Sequence, residues 1–191
     1  MAFSDQAELV TLKIILNRPT GSRRTDRRNT YNLRVPVFRW GMVMIHFEGT
    51  ETFGADLTAV FEHVSNAGWL AQSLPKSEVT HMSSDTASWK VQPKFAFMAG
   101  TLDTTATVID RVVPESVHYR IVSQGVGSSS TMDARLRFQP SDSGGTTVKW
   151  TGDLIELGGL LEKVPRVMLQ AAAMKTIADV WQAVHQKIEG K

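Results

Sequence analysis

The side chains that could do chemistry in this sequence are scattered. Five histidines, His46, His63, His81, His118 and His185, fall on different predicted elements and show no metal-ligand spacing. They read as exposed or hydrogen-bonded structural residues. Gly125 and Gly127 lack the Lys-Ser/Thr of a phosphate-binding loop and open no helix. No serine stands in a nucleophile-elbow pattern, and Gly127-Ser128-Ser129 is not one. Asp103 and Asp110 read as strand-face and turn residues rather than an acid–base pair. The one dense cluster that could supply a general acid or base is Tyr119 with His118 and Arg120. Strand alternation turns Tyr119 and its two neighbours to opposite faces, which weakens an enzymatic reading. The chain has no cysteine, which excludes disulfides, thiolate metal sites and a cysteine nucleophile. No metal and no cofactor is expected.

The apolar residues are more informative. Of five tryptophans, Trp89, Trp150 and Trp181 fall on apolar parities. Core packing accounts for them, and so would the lining of an elongated cavity that also takes in Met132, Met168 and Met174. Methionine suits an adaptable apolar pocket because it is flexible and polarizable. Ala171-Ala172-Ala173 in the middle of the last helix point the same way, since a helix that fills its groove presents larger side chains.

These residues must be positioned by strands and one long helix. Residues 44–53 read as a strand and 55–65 as a helix, with Leu57, Val60, Phe61 and Val64 on one face. Trp69-Leu70 with Leu74 predict a second short helix stopped by Pro75. From residue 76 the period is two: Val79 and His81, then Ala87, Trp89 and Val91, then a long extended stretch over 95–112. Val117, Tyr119 and Ile121 follow, then a glycine- and serine-rich stretch over 125–130 that reads as an open loop or bulge. Met132, Ala134, Leu136 and Phe138 alternate with polar residues, and Val148, Trp150 and Leu154 belong to the last strand. Such a meander implies an antiparallel sheet with one wet face and one covered face. The cover is an amphipathic helix from Pro165 to Glu189, with Pro165 in its first turn and Leu160–Lys163 in a preceding turn or short helix.

The chain of 191 residues is 42% apolar and 21% charged, a globular composition. Its net charge of +2 is uneven. Residues 1–43 hold eight Lys/Arg against three acids, while the rest holds 13 against 16. The basic segment reads as a poorly ordered extension ahead of one domain over 44–188, and Met42 or Met44 is a candidate natural start. The arm could touch anionic lipid or nucleic acid. Nucleic acid is the less expected partner, because solvation alone accounts for such a tail. No export signal and no apolar run of membrane-spanning length is visible, so a cytoplasmic location is expected, with association at the inner membrane face as a variant.

The order of strand, two short helices, long meander and long final helix resembles the helix-grip order of the START-like, or SRPBCC, superfamily. FGADLTAVFEHVSNAGWLAQSLP over Phe53–Pro75, with Val60-Phe61 and Leu74-Pro75, is similar to the opening of the carbon monoxide dehydrogenase CoxG family. Phe97 and Gly100 resemble its Phe-x-Gly strand, Gly125 and Gly127 its glycine-rich loop, and Leu157-Gly158 its Leu-Gly before the last helix. The chain departs from that pattern by lacking the cysteine and glycine around Leu74-Pro75 and by carrying Pro165. The resemblance implies an α+β helix-grip fold, a curved antiparallel sheet wrapped around a long C-terminal helix. It also implies a hydrophobic small-molecule ligand, lipid-like or quinone-like, bound without catalysis, and a redox enzyme complex or the membrane surface as partner. Polyketide cyclases and dehydratases of the same superfamily keep an enzymatic alternative open in the same cavity. The predicted walls of that cavity are Trp89, Phe97, Tyr119, Ile121, Met132, Ala134, Leu136, Trp150, Met168, Ala171, Ala172 and Trp181. Tyr119 and the 125–130 loop are the expected polar contact and entrance.

Overall fold

The computed structural model describes residues 45–74, 77–92, 100–142 and 144–190. The basic extension, Met42, Met44, Pro75 and Phe97 lie outside the described residues. Seven strands form one antiparallel sheet: β1 (Ile45–Phe53), β2 (Glu78–Met82), β3 (Thr86–Val91), β4 (Leu102–Val112), β5 (Ser116–Gly125), β6 (Ser128–Pro140) and β7 (Thr146–Gly159). Their order in the sheet is β1-β7-β6-β5-β4-β3-β2, so all neighbours are consecutive hairpins except the pairing of the first strand with the last.

Two short helices, α1 (Leu57–Val64) and α2 (Ala67–Ser73), follow β1. Each is opened by a polar cap: the Asp56 carboxylate accepts from the Ala59 N–H at 3.1 Å, and the Asn66 side chain accepts from the Trp69 N–H at 3.0 Å. Such caps satisfy donors that the first helical turn leaves free, worth about 1 kcal/mol each. Val60, Phe61 and Val64 are buried on the inward side of α1, the face that the i, i+3, i+4 spacing predicts.

The glycine- and serine-rich stretch differs from its sequence reading. It is a tight hairpin in which Gly125 pairs with Ser128 and the three serines belong to β6. Val126 and Gly127 occupy the two turn positions at φ 53° and 68°. Positive φ at both central residues gives the strand crossing the right twist, and that geometry favours Asn-Gly. The period-two pattern of the flanking strands fixes the register and overrides the loop-like composition.

After β7 a single 3-10 turn, Leu160–Lys163, leads to the long helix α3, Arg166–Glu189. Pro165 stands at the N-cap position rather than inside the first turn, where its missing N–H costs nothing. The C-terminal half of α3 is clamped by rings on one face of the sheet. Trp181 lies 6.3 Å from Phe53 and 6.2 Å from Trp150, and the His185 ring stacks on Phe53 at 4.2 Å. Phe53, Val60, Val64, Val148 and Val184 are the fully buried centre of the core. No helix among the described residues is long and apolar enough to cross a membrane.

Candidate functional site

The register assigns every strand residue to a face. On the side covered by α3, β1 presents Phe47, Gly49 and Phe53, β7 presents Val148, Trp150, Gly152 and Leu154, and β6 presents Met132, Ala134 and Leu136. Tyr119, Ile121 and Ser123 of β5 and Thr104, Ala106 and Val108 of β4 continue the same face, and Ala87 and Trp89 carry it onto β3. All the strand residues predicted to line the cavity, with Phe97 outside the described set, therefore share this concave face. Burial grades along it. Tyr119, Leu136 and Trp150 are buried, whereas Trp89, Ile121, Met132, Ala134 and Leu157 are partly exposed.

The helix residues predicted to line the cavity are placed unevenly. Trp181 is buried, but Met168 is 43% exposed and Ala171 is exposed. Of the three consecutive alanines, Ala173 packs against the core, whereas Ala172 is only half-buried and outside it. The apolar residues of α3 span more than half its circumference, and the half that meets the sheet is centred on Leu169, Ala173, Ile177, Val180, Val184 and Ile188. Leu169, buried at the N-terminal end of α3, is absent from the predicted cavity walls although it stands four residues before Ala173. Val167 and Met174 lie on the open flank, 78% and 45% exposed. Thus α3 seals the sheet at its Trp181 end and leaves apolar surface accessible along its first three turns.

Polar groups on the concave face are few. The Tyr119 hydroxyl donates to the Val64 carbonyl at 2.9 Å, so it ties β5 to α1 and is not free to orient a guest. Burial pushes its pKa far above the ordinary phenol value. Arg111 donates to the Ser65 and Ser84 carbonyls at 2.6 and 3.0 Å and pairs with Asp85 at 2.8 Å. Glu51 meets His185 at 3.0 Å. Thr104 and Ser123 share a hydroxyl–hydroxyl bond of 3.0 Å. The indole nitrogen of Trp150 is buried with no hydrogen-bond partner among the described residues.

The charged cluster predicted around residue 119 separates as alternation requires. His118 and Arg120 are on the convex face with Asp133, which accepts two bonds from Arg120 at 2.9 and 3.1 Å. Burial would raise the Asp133 pKa, but the hydrogen bond and charge of Arg120 outweigh it and hold it below the ordinary value. His118 is shifted down, first by burial and then by Arg135. Next to them His46 hydrogen-bonds Asp153 at 2.6 Å, which raises the imidazole pKa. This is a lattice of cross-strand ion pairs on a wet sheet face. Among the described residues no group of three or more His or carboxylate side chains could hold a metal ion. Two surface grooves are lined mainly by residues of the helices and their caps. One of about 480 Å³ between α2 and α3 is lined by Gln72, Ser73, Asp179, Gln182 and Lys187 among others. The other, about 340 Å³, lies beside α1 and includes Phe61, Glu62, Arg111 and Val113.

The profile of the carbon monoxide dehydrogenase CoxG family matches residues 49–189, well over half of the chain. No curated protein sequence matches. Among solved structures, a conserved protein from Geobacillus kaustophilus superimposes with a TM-score of 0.68 at 16% identity, covering 76% of this chain and 96% of that one. A START superfamily protein from Mycobacterium smegmatis gives 0.58 at 14% identity, with 76% and 97% covered. The Zhui aromatase/cyclase from Streptomyces sp. R1128 gives 0.55 at 18% identity, with 76% and 93% covered. At these identities the likeness shows the fold, which is the START-like helix grip.

Proposed function

Because the chain belongs to the carbon monoxide dehydrogenase CoxG family, we propose that it is a non-catalytic module that holds a lipid-like or quinone-like molecule between its sheet and α3. One observation carries this reading: the concave face is apolar throughout its middle, yet Ile121, Met132, Ala134 and Leu157 stay partly exposed beneath a helix whose Met168 and Ala171 are exposed too. Soluble proteins rarely leave contiguous apolar surface open unless it serves binding. Ligand sites are mostly apolar with few polar groups to fix orientation, and this face has that composition. Within this proposal the chain is an accessory factor to a carbon monoxide dehydrogenase-type redox enzyme, a role the family's name supports, and it works at the cytoplasmic side or the inner membrane face.

The enzymatic alternative, a cyclase- or dehydratase-like reaction in the same cavity, would need a free acid or base on the concave face. Among the described residues of that face the titratable side chains are Tyr119, Arg111 and Glu51, and each is engaged in a tertiary contact. That favours binding without turnover. Native mass spectrometry of the purified protein, with solvent extraction of whatever it carries, tests the proposal. A bound apolar species, displaced by a fluorescent fatty acid or a quinone, is the expected result. Protein that carries nothing and binds neither probe would overturn it.

A further inference from the structure

On the concave face two buried donors have no acceptor among the described residues, the Nε of Arg111 and the indole nitrogen of Trp150, and only that of Trp150 belongs to a side chain with no other polar group. The residue is 8% exposed, and its indole nitrogen is buried and unpartnered there. More than nine in ten buried donors in proteins are paired, and leaving one unpaired is costly. Tyr119, Glu51, Thr104 and Ser123 of this face are engaged in the contacts described above. The ring is also held in place. On one side it lies over Gly49, where a Cβ would stand 2.4 Å from its Cζ2 atom and 3.0 Å from the nitrogen itself. On the other side is Trp181 at 6.2 Å. Two residues on along β7 the face presents Gly152, and then Leu154, opposite Met132 of β6. Gly152 and Leu154 are buried with Phe47 and Ile45 of β1, so Trp150 stands between its Trp181 contact and the partly exposed Ala134 and Met132 of β6.

We infer that the Trp150 indole N–H donates to an oxygen of the bound guest, fixing which end of an otherwise apolar molecule enters first. This deepens the function proposed above and rests on it. The acceptor is neutral. Arg111 is the sheet's one cation on this face among the described residues, and it is committed to Asp85, Ser65 and Ser84. A carboxylate or phosphate buried beside Trp150 would therefore lack a counter-charge. A carbonyl or ether oxygen on an apolar body is the chemistry that fits.

The test compares matched probes that differ in that oxygen alone: 2-acetylnaphthalene with 2-isopropylnaphthalene, and tridecan-2-one with 2-methyltridecane, titrated into the full chain and into Trp150→Phe. The expected result is that the ketones bind the native protein about tenfold or more tightly than their hydrocarbon partners, and that Trp150→Phe removes the difference without weakening the hydrocarbons. Native-like ketone preference in a folded Trp150→Phe protein would overturn the inference and leave the proposed function standing. Binding of no probe by the native protein would remove both. Should Trp150→Phe not fold, the indole ¹H–¹⁵N signal of Trp150 in the native protein decides. Its displacement by the ketones and not by the hydrocarbons supports the assignment, and an unmoved signal refutes it.

Discussion

Replacing Gly49 by alanine probes the packing that holds Trp150 and Trp181 in register. The added Cβ would stand 2.4 Å from Trp150 Cζ2 and 2.7 Å from Cε2, whereas carbon atoms in contact settle at about 3.5–4.0 Å. The ring would have to retreat by about 1 Å or more. Its retreat is blocked by Trp181, which is itself tilted against Phe53 at 6.3 Å. Overpacking of this kind costs about 1–3 kcal/mol. Against it stands a gain of about 0.5–1 kcal/mol for replacing a strand glycine, so the net loss is about 1–2 kcal/mol. For a domain of this size, that lowers Tm by about 2–8 °C. Gly54, one residue beyond β1, is the control: nothing lies within 4 Å of a Cβ there, so Gly54→Ala is expected to be neutral or slightly stabilising. Thermal melts of both variants, with near-ultraviolet circular dichroism as a record of the tryptophan environment, make the comparison. Equal Tm values for the two, with an unchanged aromatic spectrum for Gly49→Ala, would refute the account of the tryptophan pair.

Three further outcomes are expected. Val126 holds φ 53° in a hairpin turn, a conformation that costs a β-branched residue about 1–2 kcal/mol; Val126→Asn should raise stability by about 1 kcal/mol in urea unfolding, and a loss would contradict the turn assignment. Tyr119→Phe strands the Val64 carbonyl and should cost about 1–2 kcal/mol while leaving the affinity for a displaced fatty acid unchanged; a binding defect at unchanged stability would return Tyr119 to the guest. Asp133→Asn removes a buried carboxylate from a half-exposed Arg120 and should cost about 1–2 kcal/mol at neutral pH. Because the folded pKa of Asp133 is held below its ordinary 3.8, its contribution is present above that pH and disappears as the pH falls through the lower folded value. The native protein and Asp133→Asn should therefore converge in stability at the acid end, and a constant difference down to about pH 2 would contradict the shift.

Most of the sheet is legible in the sequence because period-two alternation is a local signal. Val117, Tyr119 and Ile121, or Met132, Ala134 and Leu136, reveal their shared face to anyone reading every second residue. The hydroxyl partner of Tyr119 is not legible, since Val64 is 55 residues upstream and the contact exists only once α1 is laid on the sheet. Helix α3 shows a different limit. Apolar residues occupy so much of its circumference that the stripe has no unique centre, and Met168 and Ala171 pass for sheet-facing residues in place of Leu169. The run of Leu169, Ala173, Val180 and Val184, at spacings of four and seven, is the available signal. Gly125–Ser130 misleads through composition: glycine and serine suggest an open loop, but Gly125 and Ser128 are the last pair of a continuous ladder. The empty hydrogen-bonding position at Trp150 leaves no trace in sequence at all, because it is defined by what its neighbours are already bound to.

The pairing of the first strand with the last has a consequence for how the chain is made. Phe53 is sealed by Thr146 across the ladder, and by Trp181 and His185 from α3, all more than ninety residues downstream. During synthesis β1 therefore emerges with its apolar side chains unclaimed. It waits while β2 to β6 form in sequence, and it can enter the sheet only after β7 has been translated. Contacts of such separation must be reached before they reward the chain, which makes folding slow and leaves a sticky intermediate in the interval. The helices α1 and α2, which can form early, sit directly behind β1 in the chain and are the natural temporary cover for it. A chain that has cleared β6 but not β7 from the ribosome should thus hold a sheet of β2 to β6 whose β6 edge is open. That edge is where a chaperone, or a second stalled copy, would attach.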